Sequence, residues 1–283
     1  MLMETRNIIM SLLFFILICS SIIFSPQVSA AETLKIGGTG TALGSMKLLA
    51  AAFEKAHPDI TVTVLPSLGS TGGISAVAKG ALDIGVISRT FKDEELSLGL
   101  QKIEYARTPL VPVTSAGMSI SGLSSGEVEK IFRGEMQEWP DGTRIRLVLR
   151  PASESDTLSI KNISPEMNEA VDAALKRQGM LIALTDQDSA DMIEKIPGSF
   201  GFSTLTQIIS EKRRMKVLAY NGVLPGIRSL SDGSYHFFKA LHLVVRKGPP
   251  ALVRKFIDFV RSDEGRKILE ESGNVVVFGK RDN

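Results

Sequence analysis

The sequence predicts an α/β protein of two small lobes, each a mostly parallel sheet flanked by helices. Short β-branched runs alternate with stretches of helical period from Leu34 to Ile87. That βαβαβ order implies a parallel sheet with right-handed crossovers. The same alternation resumes after residue 128 and runs to the C-terminal helices. The chain is long for one doubly wound sheet and short for two independent ones, which fits two lobes sharing it.

In chain order, residues 34–36 read as a strand. Leu43, Met46, Leu49 and Phe53 then follow the helical period. Residues 60–65 alternate apolar and Thr positions and form a second strand. Ile74, Val77, Ala78 and Ala81 mark a second helix, and 84–87 a third, buried strand. A short helix is expected at 128–133 and a strand at 145–149. Ser164-Pro165-Glu166 is a helix start: a cap, Pro at the first position and an early acid. Residues 200–202, 217–219 and 241–245 read as strands and 249–260 as a helix, with Leu252, Val253, Phe256 and Val260 on one face. Ser262 caps a final helix ending near Gly273.

The N-terminus bears on the compartment. Arg6 precedes an apolar run over 8–24, and Val28-Ser29-Ala30 is a small-x-small cleavage pattern. Residues 1–30 therefore read as a secretory signal peptide, removed after Ala30. The run is short for a membrane anchor and lacks a positive stop-transfer flank. Cys19 is the single cysteine; Ile18 before it argues against lipid attachment there, since that signal wants a small residue. A soluble protein outside the cytoplasmic membrane is expected. With 33 Lys+Arg against 31 Asp+Glu, the formal charge of +2 excludes a nucleic-acid binder working by bulk electrostatics.

Three loops leave the C-terminal ends of the first three strands: Gly37-Gly38-Thr39-Gly40-Thr41, Gly69-Ser70-Thr71-Gly72-Gly73 and Ser88-Arg89. In an open parallel sheet those ends share one edge, where ligands bind. Two of the loops open onto helix N-termini, whose free N–H groups favour an anion. Thr41, Ser70 and Ser88 are the hydroxyl donors this places together. In any one loop such residues are ordinarily turns and caps; three converging loops point to a site. Arg150 follows a fourth strand and precedes Ser153, Ser155 and Thr157, adding a guanidinium suited to bidentate oxyanion contact. No P-loop, GxSxG elbow or metal-ligand spacing appears, and His57, His236 and His242 are scattered. No cofactor is expected. His242 reads as a structural residue of a strand.

These residues resemble those of the phosphate-binding proteins of bacterial high-affinity phosphate transport systems. The likeness is carried by Gly38-Thr39-Gly40-Thr41, Gly69-Ser70-Thr71-Gly72-Gly73, Asp83-Ile84-Gly85, Ile131-Phe132-Arg133-Gly134 with Trp139, Pro197-Gly198-Ser199-Phe200-Gly201-Phe202 and 241–245, in that order along nearly the whole chain after residue 30. The resemblance implies a two-lobed periplasmic-binding-protein fold of the Venus-flytrap kind. Lobe one would hold residues 32–112 and 241–283, and lobe two residues 113–240. It implies a monomeric binding protein that captures phosphate, or a related oxyanion, in the interlobe cleft for an ABC-transporter permease. Thr41, Ala42, Ser70, Ser88, Arg150, Ser155, Asp156 and Thr157 are the phosphate-binding residues it implies. The alternatives are an exported phosphatase-like hydrolase on the same cradle and an anion sensor without a transport role.

The sequence departs from the family's pattern at two places. Ser88 stands where the family often has a carboxylate, and Asp156 where the anion turn has Gly. Asp156 is expected either to replace the missing carboxylate, accepting the proton of monohydrogen phosphate, or to turn outward as a cap.

Overall fold

The structure is a computed structural model and describes residues 32–278. The expected signal segment, with Cys19, lies outside the described residues. The strands are β1 (Glu32–Gly38), β2 (Ile60–Val64), β3 (Ile84–Ile87), β4 (Leu100–Ser115), β5 (Gly122–Leu123), β6 (Arg146–Leu149), β7 (Leu181–Ile182), β8 (Ser199–Thr204), β9 (Met215–Val217), β10 (Ala219–Tyr220), β11 (Phe238–Arg246) and β12 (Val275–Val276). The helices are α1 (Gly40–Ala56), α2 (Gly69–Ala78), α3 (Ser125–Arg133), α4 (Ser155–Lys161), α5 (Pro165–Lys176), α6 (Asp186–Lys195), α7 (Leu205–Ser210), α8 (Ile227–Ser231), α9 (Ala251–Arg261) and α10 (Asp263–Glu271).

One pairing network runs through the molecule in the order β2-β1-β3-β11-β4-β8-β6-β7, with β9 and β12 also on β4. The predicted βαβαβ unit is present: β1 pairs parallel with both β2 and β3. The second half repeats it, with β6 parallel to both β7 and β8. Antiparallel β4 and β11 join the halves. The 16-residue β4 pairs with β11 up to Pro109 and with β8 from Leu110 onward, so this one strand serves both halves.

Two cores flank that crossing. The first packs β1–β3 and β11 against α1 and α9, with Phe53 edge-on to Phe256 and Phe259. The second gathers Phe132, Trp139, Phe200 and Phe202 between α3, α5, β6 and β8. Trp139 Nε1 donates to the Gly198 carbonyl (3.0 Å), tying the tryptophan to the Pro197–Phe202 segment that the sequence pairs with it. Near the crossing, Thr108 Oγ1 donates to the Gly273 carbonyl (3.1 Å) and accepts from the Thr206 N–H (3.0 Å). That hydroxyl binds the C-terminal segment to α7.

Local signals set most boundaries. Ser164 Oγ accepts from the Met167 N–H and Ser262 Oγ from the Gly265 N–H, as the capping patterns predict. Two expectations need correction. The strand expected over 217–219 is two strands, because the Leu218 N–H bonds to the Pro112 carbonyl and the chain then leaves β4 to pair with β5. The second helix ends at Ala78, before the expected Ala81, where Gly80 takes a left-handed φ of 73°.

Candidate functional site

The three glycine- and serine-rich loops meet at one edge of the sheet, as predicted, and the site is built there. Helix α1 starts inside the first loop, so Thr41 and Ala42 lie in its first turn. Ser70 lies in the first turn of α2. The leading N–H groups of a helix have no intrahelical partner. Ser88 follows β3; its N–H donates to Ser70 Oγ (3.2 Å), and its hydroxyl is 3.2 Å from Thr39 Oγ1.

The second half meets this edge face to face. Ser155 Oγ is 3.0 Å from Ser88 Oγ. Thr41 Oγ1 donates to Asp186 Oδ1 (2.9 Å), and Gln187 Nε2 donates to the Gly40 carbonyl (3.1 Å). Gly40 allows that approach, since a Cβ there would stand 2.5 Å from Asp186 Oδ2. Thr39, Thr41, Ser70, Ser88, Arg150, Asp156, Thr157, Asp186 and Lys239 are all buried. These buried polar groups satisfy one another largely by mutual hydrogen bonds, and together they make the candidate site.

Arg150 follows the end of β6, as expected, and is 6% exposed. Its Nη1 donates to the Ala183 carbonyl (2.7 Å), which fixes the plane of the guanidinium. Three carboxylates surround it: Glu154 and Asp156 at 3.5 Å and Asp186 at 3.8 Å. Its Nε, the atom 3.5 Å from Asp156 Oδ2, makes no hydrogen bond. A buried guanidinium nitrogen with an unused proton is a donor available to an oxyanion.

The structure brings most of the sequence-predicted residues together but divides their roles. Thr157 Oγ1 donates to the Arg150 carbonyl (3.1 Å), so that hydroxyl orients the turn. The Ala42 N–H points back to the Thr39 carbonyl at 3.4 Å. Asp156 is no outward cap. It is 7% exposed and is paired through Oδ1 with Lys239 Nζ. Burial works against its charge, but Lys239 and Arg150 prevail and hold its carboxyl below the usual carboxylate range. His242 is buried in β11; burial, and then the charge of Lys102, lower it to about 4, so it is neutral and structural.

Two site residues have no counterpart in the sequence reading. Lys239, 1% exposed near the start of β11, places Nζ 3.0 Å from Ser155 Oγ and 3.4 Å from Thr41 Oγ1. Asp186 opens α6 behind the Thr185 cap, so in sequence it looks like an ordinary first-turn acid. Burial, then the neighbouring Asp156, raise it to about 6, against the pull of Lys239 and Arg150.

That shift predicts a pH signature. A carboxyl raised in the folded state lends stability that is full below about pH 4 and lost as pH rises through about 6. Asp186→Asn should therefore stabilise the folded protein more at pH 7.5 than at pH 5, by about 1–2 kcal/mol. An equal effect at both pH values, read by thermal denaturation, would show that Asp186 does not titrate in this window.

Known proteins resemble this chain over most of its length. The Borreliella burgdorferi phosphate-binding protein PstS is 25% identical over 254 residues, covering 86% of this chain and 89% of its own. The Synechococcus elongatus protein SphX is 26% identical over 288 residues, covering 93% and 83%. Among solved structures, a putative phosphate ABC transporter substrate-binding protein with bound phosphate from Clostridium perfringens superposes with a TM-score of 0.74 at 20% identity. It covers 87% of this chain and 100% of its own. The Azotobacter vinelandii periplasmic molybdate-binding protein gives 0.62 at 16% identity, covering 86% and 98%. These two establish the fold. The model of a PBP superfamily domain matches residues 25–264, and with most of its length inside that match the chain belongs to the PBP superfamily.

Proposed function

We propose that the protein is an extracytoplasmic solute-binding protein that takes up inorganic phosphate in the cleft between two lobes and presents it to an ABC-transporter permease. The observation that carries this reading is the buried cluster in which the Thr41, Ser88 and Ser155 hydroxyls meet Asp156, Asp186 and the two cations Lys239 and Arg150. The names of the relatives, phosphate-binding proteins among them, support the same ligand. Lobe one would be residues 32–112 with 241–283, and lobe two 113–240, moving about the crossing of β4 and β11. Thr41, Ala42, Ser70, Ser88, Arg150, Ser155, Asp156 and Thr157 would surround the anion, with Thr157 acting through the turn it orients. The protein would act as a monomer, without cofactor.

Phosphate is favoured over sulfate by the chemistry of the cleft. Monohydrogen phosphate has a proton to donate to a carboxylate of the cleft, whereas sulfate offers that carboxylate only acceptor oxygens. Calorimetry of the purified protein against phosphate, sulfate and molybdate tests this. Micromolar or tighter phosphate binding, roughly −8 kcal/mol, is the expected result. Binding of none of the three would overturn the proposal, and turnover of a chromogenic phosphate ester would replace it with the hydrolase reading.

Closure about the crossing gives a further expectation. On this reading the contacts Ser88–Ser155 and Thr41–Asp186 would span the cleft, as in a closed arrangement of the lobes. Small-angle scattering should show a smaller radius of gyration with saturating phosphate than without it. Identical curves would mean that the closed arrangement predominates in the free protein too.

A further inference from the structure

Lys239 is almost wholly buried, and an ammonium is costly to bury without a counter-charge. It lies in β11 opposite Thr108 of β4, at the crossing. Its three contacts are Thr41 Oγ1, Ser155 Oγ and Asp156 Oδ1. All three belong to residues assigned above to the anion. The ammonium therefore stands where an oxyanion would be held, and a carboxylate is already bonded to it.

The charges of the cluster sharpen the point. Arg150 and Lys239 bring two positive charges; Asp156 and Asp186 bring two negative ones when ionised, with Glu154 at the edge of Arg150. A dianion entering with every pair intact would meet a cluster with no net positive charge and two like-charged neighbours. Entry is favourable when one carboxylate releases its cation. Asp186 is held by the Thr41 hydroxyl, whereas Asp156 is held by the ammonium itself.

We propose that Lys239 is a second cationic contact of the anion and that Asp156 is its exchangeable counter-ion, giving up the ammonium when the oxyanion enters. This rests on the phosphate reading and adds a residue to it. Asp156 then competes with the ligand for Lys239, the opposite of what a proton-accepting role would require of it, and the acceptor role falls to Asp186.

Calorimetry with phosphate and with sulfate on the wild type, Lys239→Met, Asp156→Asn and the double variant provides the test, alongside melting of each without ligand at pH 7.5. Met keeps the length of the lysine stem and removes the charge. Lys239→Met should weaken phosphate binding at least 30-fold, and Asp156→Asn should tighten both anions about tenfold. Without ligand, Lys239→Met should melt lower, and adding Asp156→Asn should restore much of the loss by removing the stranded carboxylate. Phosphate binding by Lys239→Met within twofold of the wild type, or weaker phosphate binding by Asp156→Asn, would overturn the inference while leaving the phosphate reading intact. Failure of the second substitution to restore the melting temperature would overturn the counter-ion role. A wild type that binds neither anion, with the melting pattern as expected, would overturn the phosphate reading and the anion contact together and leave only a structural ion pair.

Discussion

Arg150→Ala should weaken phosphate binding by about 2–4 kcal/mol, some 30- to 1,000-fold, with the fold retained. The guanidinium is 6% exposed, so water screens it little. It is held by the Ala183 carbonyl in one orientation and keeps an unused Nε proton. Removing it would also leave Asp156 paired with Lys239 alone among the described residues, and Asp186 without the guanidinium 3.8 Å away. Those carboxylates would then repel an entering anion more strongly, which places the expectation toward the upper end of the range. Arg150→Lys should recover part of the loss, since it restores a charge but neither the planar fork nor the bond to Ala183. Titration calorimetry, with circular dichroism to confirm folding, checks both variants. Wild-type affinity in Arg150→Ala would remove Arg150 from the site.

Gly38→Ala should produce the largest loss of stability of any change near the site, roughly 2–6 kcal/mol from backbone strain and overpacking together. Gly38 has φ of 144°, a region that residues with a Cβ rarely adopt. A Cβ there would stand 2.0 Å from the Val86 carbonyl oxygen, and backbone cannot rotate aside as a side chain can. The Thr39 N–H donates to that same carbonyl (2.8 Å), so relief of the clash would pull the first loop away from β3. Anion affinity should fall along with stability. Gly126→Ala is the matched control: it sits in α3 with nothing within 4 Å of the added methyl, and it should be neutral or stabilising by about 0.5–1 kcal/mol. Chemical denaturation of the two variants makes the comparison. Equal stabilities would show that β1 and β3 can separate at the loop without cost.

The parts of the fold that were legible are those whose signal is local. The caps at Ser164 and Ser262, the apolar period through Phe53 and Phe256, and the β-branched run of β2 each act within a few residues, and each element appears where the pattern puts it. The longest strand was not legible. Residues 100–115 carry Lys102, Glu104, Arg107, Pro109 and Pro112, which read poorly as a strand. The strand forms because β11 lies along its first half and β8 and β9 along its second, partners that come from more than eighty residues further along the chain.

The candidate site divides along the same line. Loops following parallel strands must gather at one sheet edge, so the sequence by itself determined that Thr41, Ser70 and Ser88 share an edge and that a buried Arg150 follows another strand. Asp186 and Lys239 carried no such mark. An acid behind a threonine cap and a lone lysine ahead of an apolar run are ordinary surface features, and nothing within several residues of either distinguishes them. The tertiary structure alone decided that Asp186 meets Thr41 from 145 residues away and that Lys239 meets Asp156 across 83. The physical reason is the range of the forces involved. Backbone hydrogen bonding and hydrophobic period act over one or two turns and are written in neighbouring residues. The charge and protonation of a buried group are set by whatever the fold brings within a few ångströms.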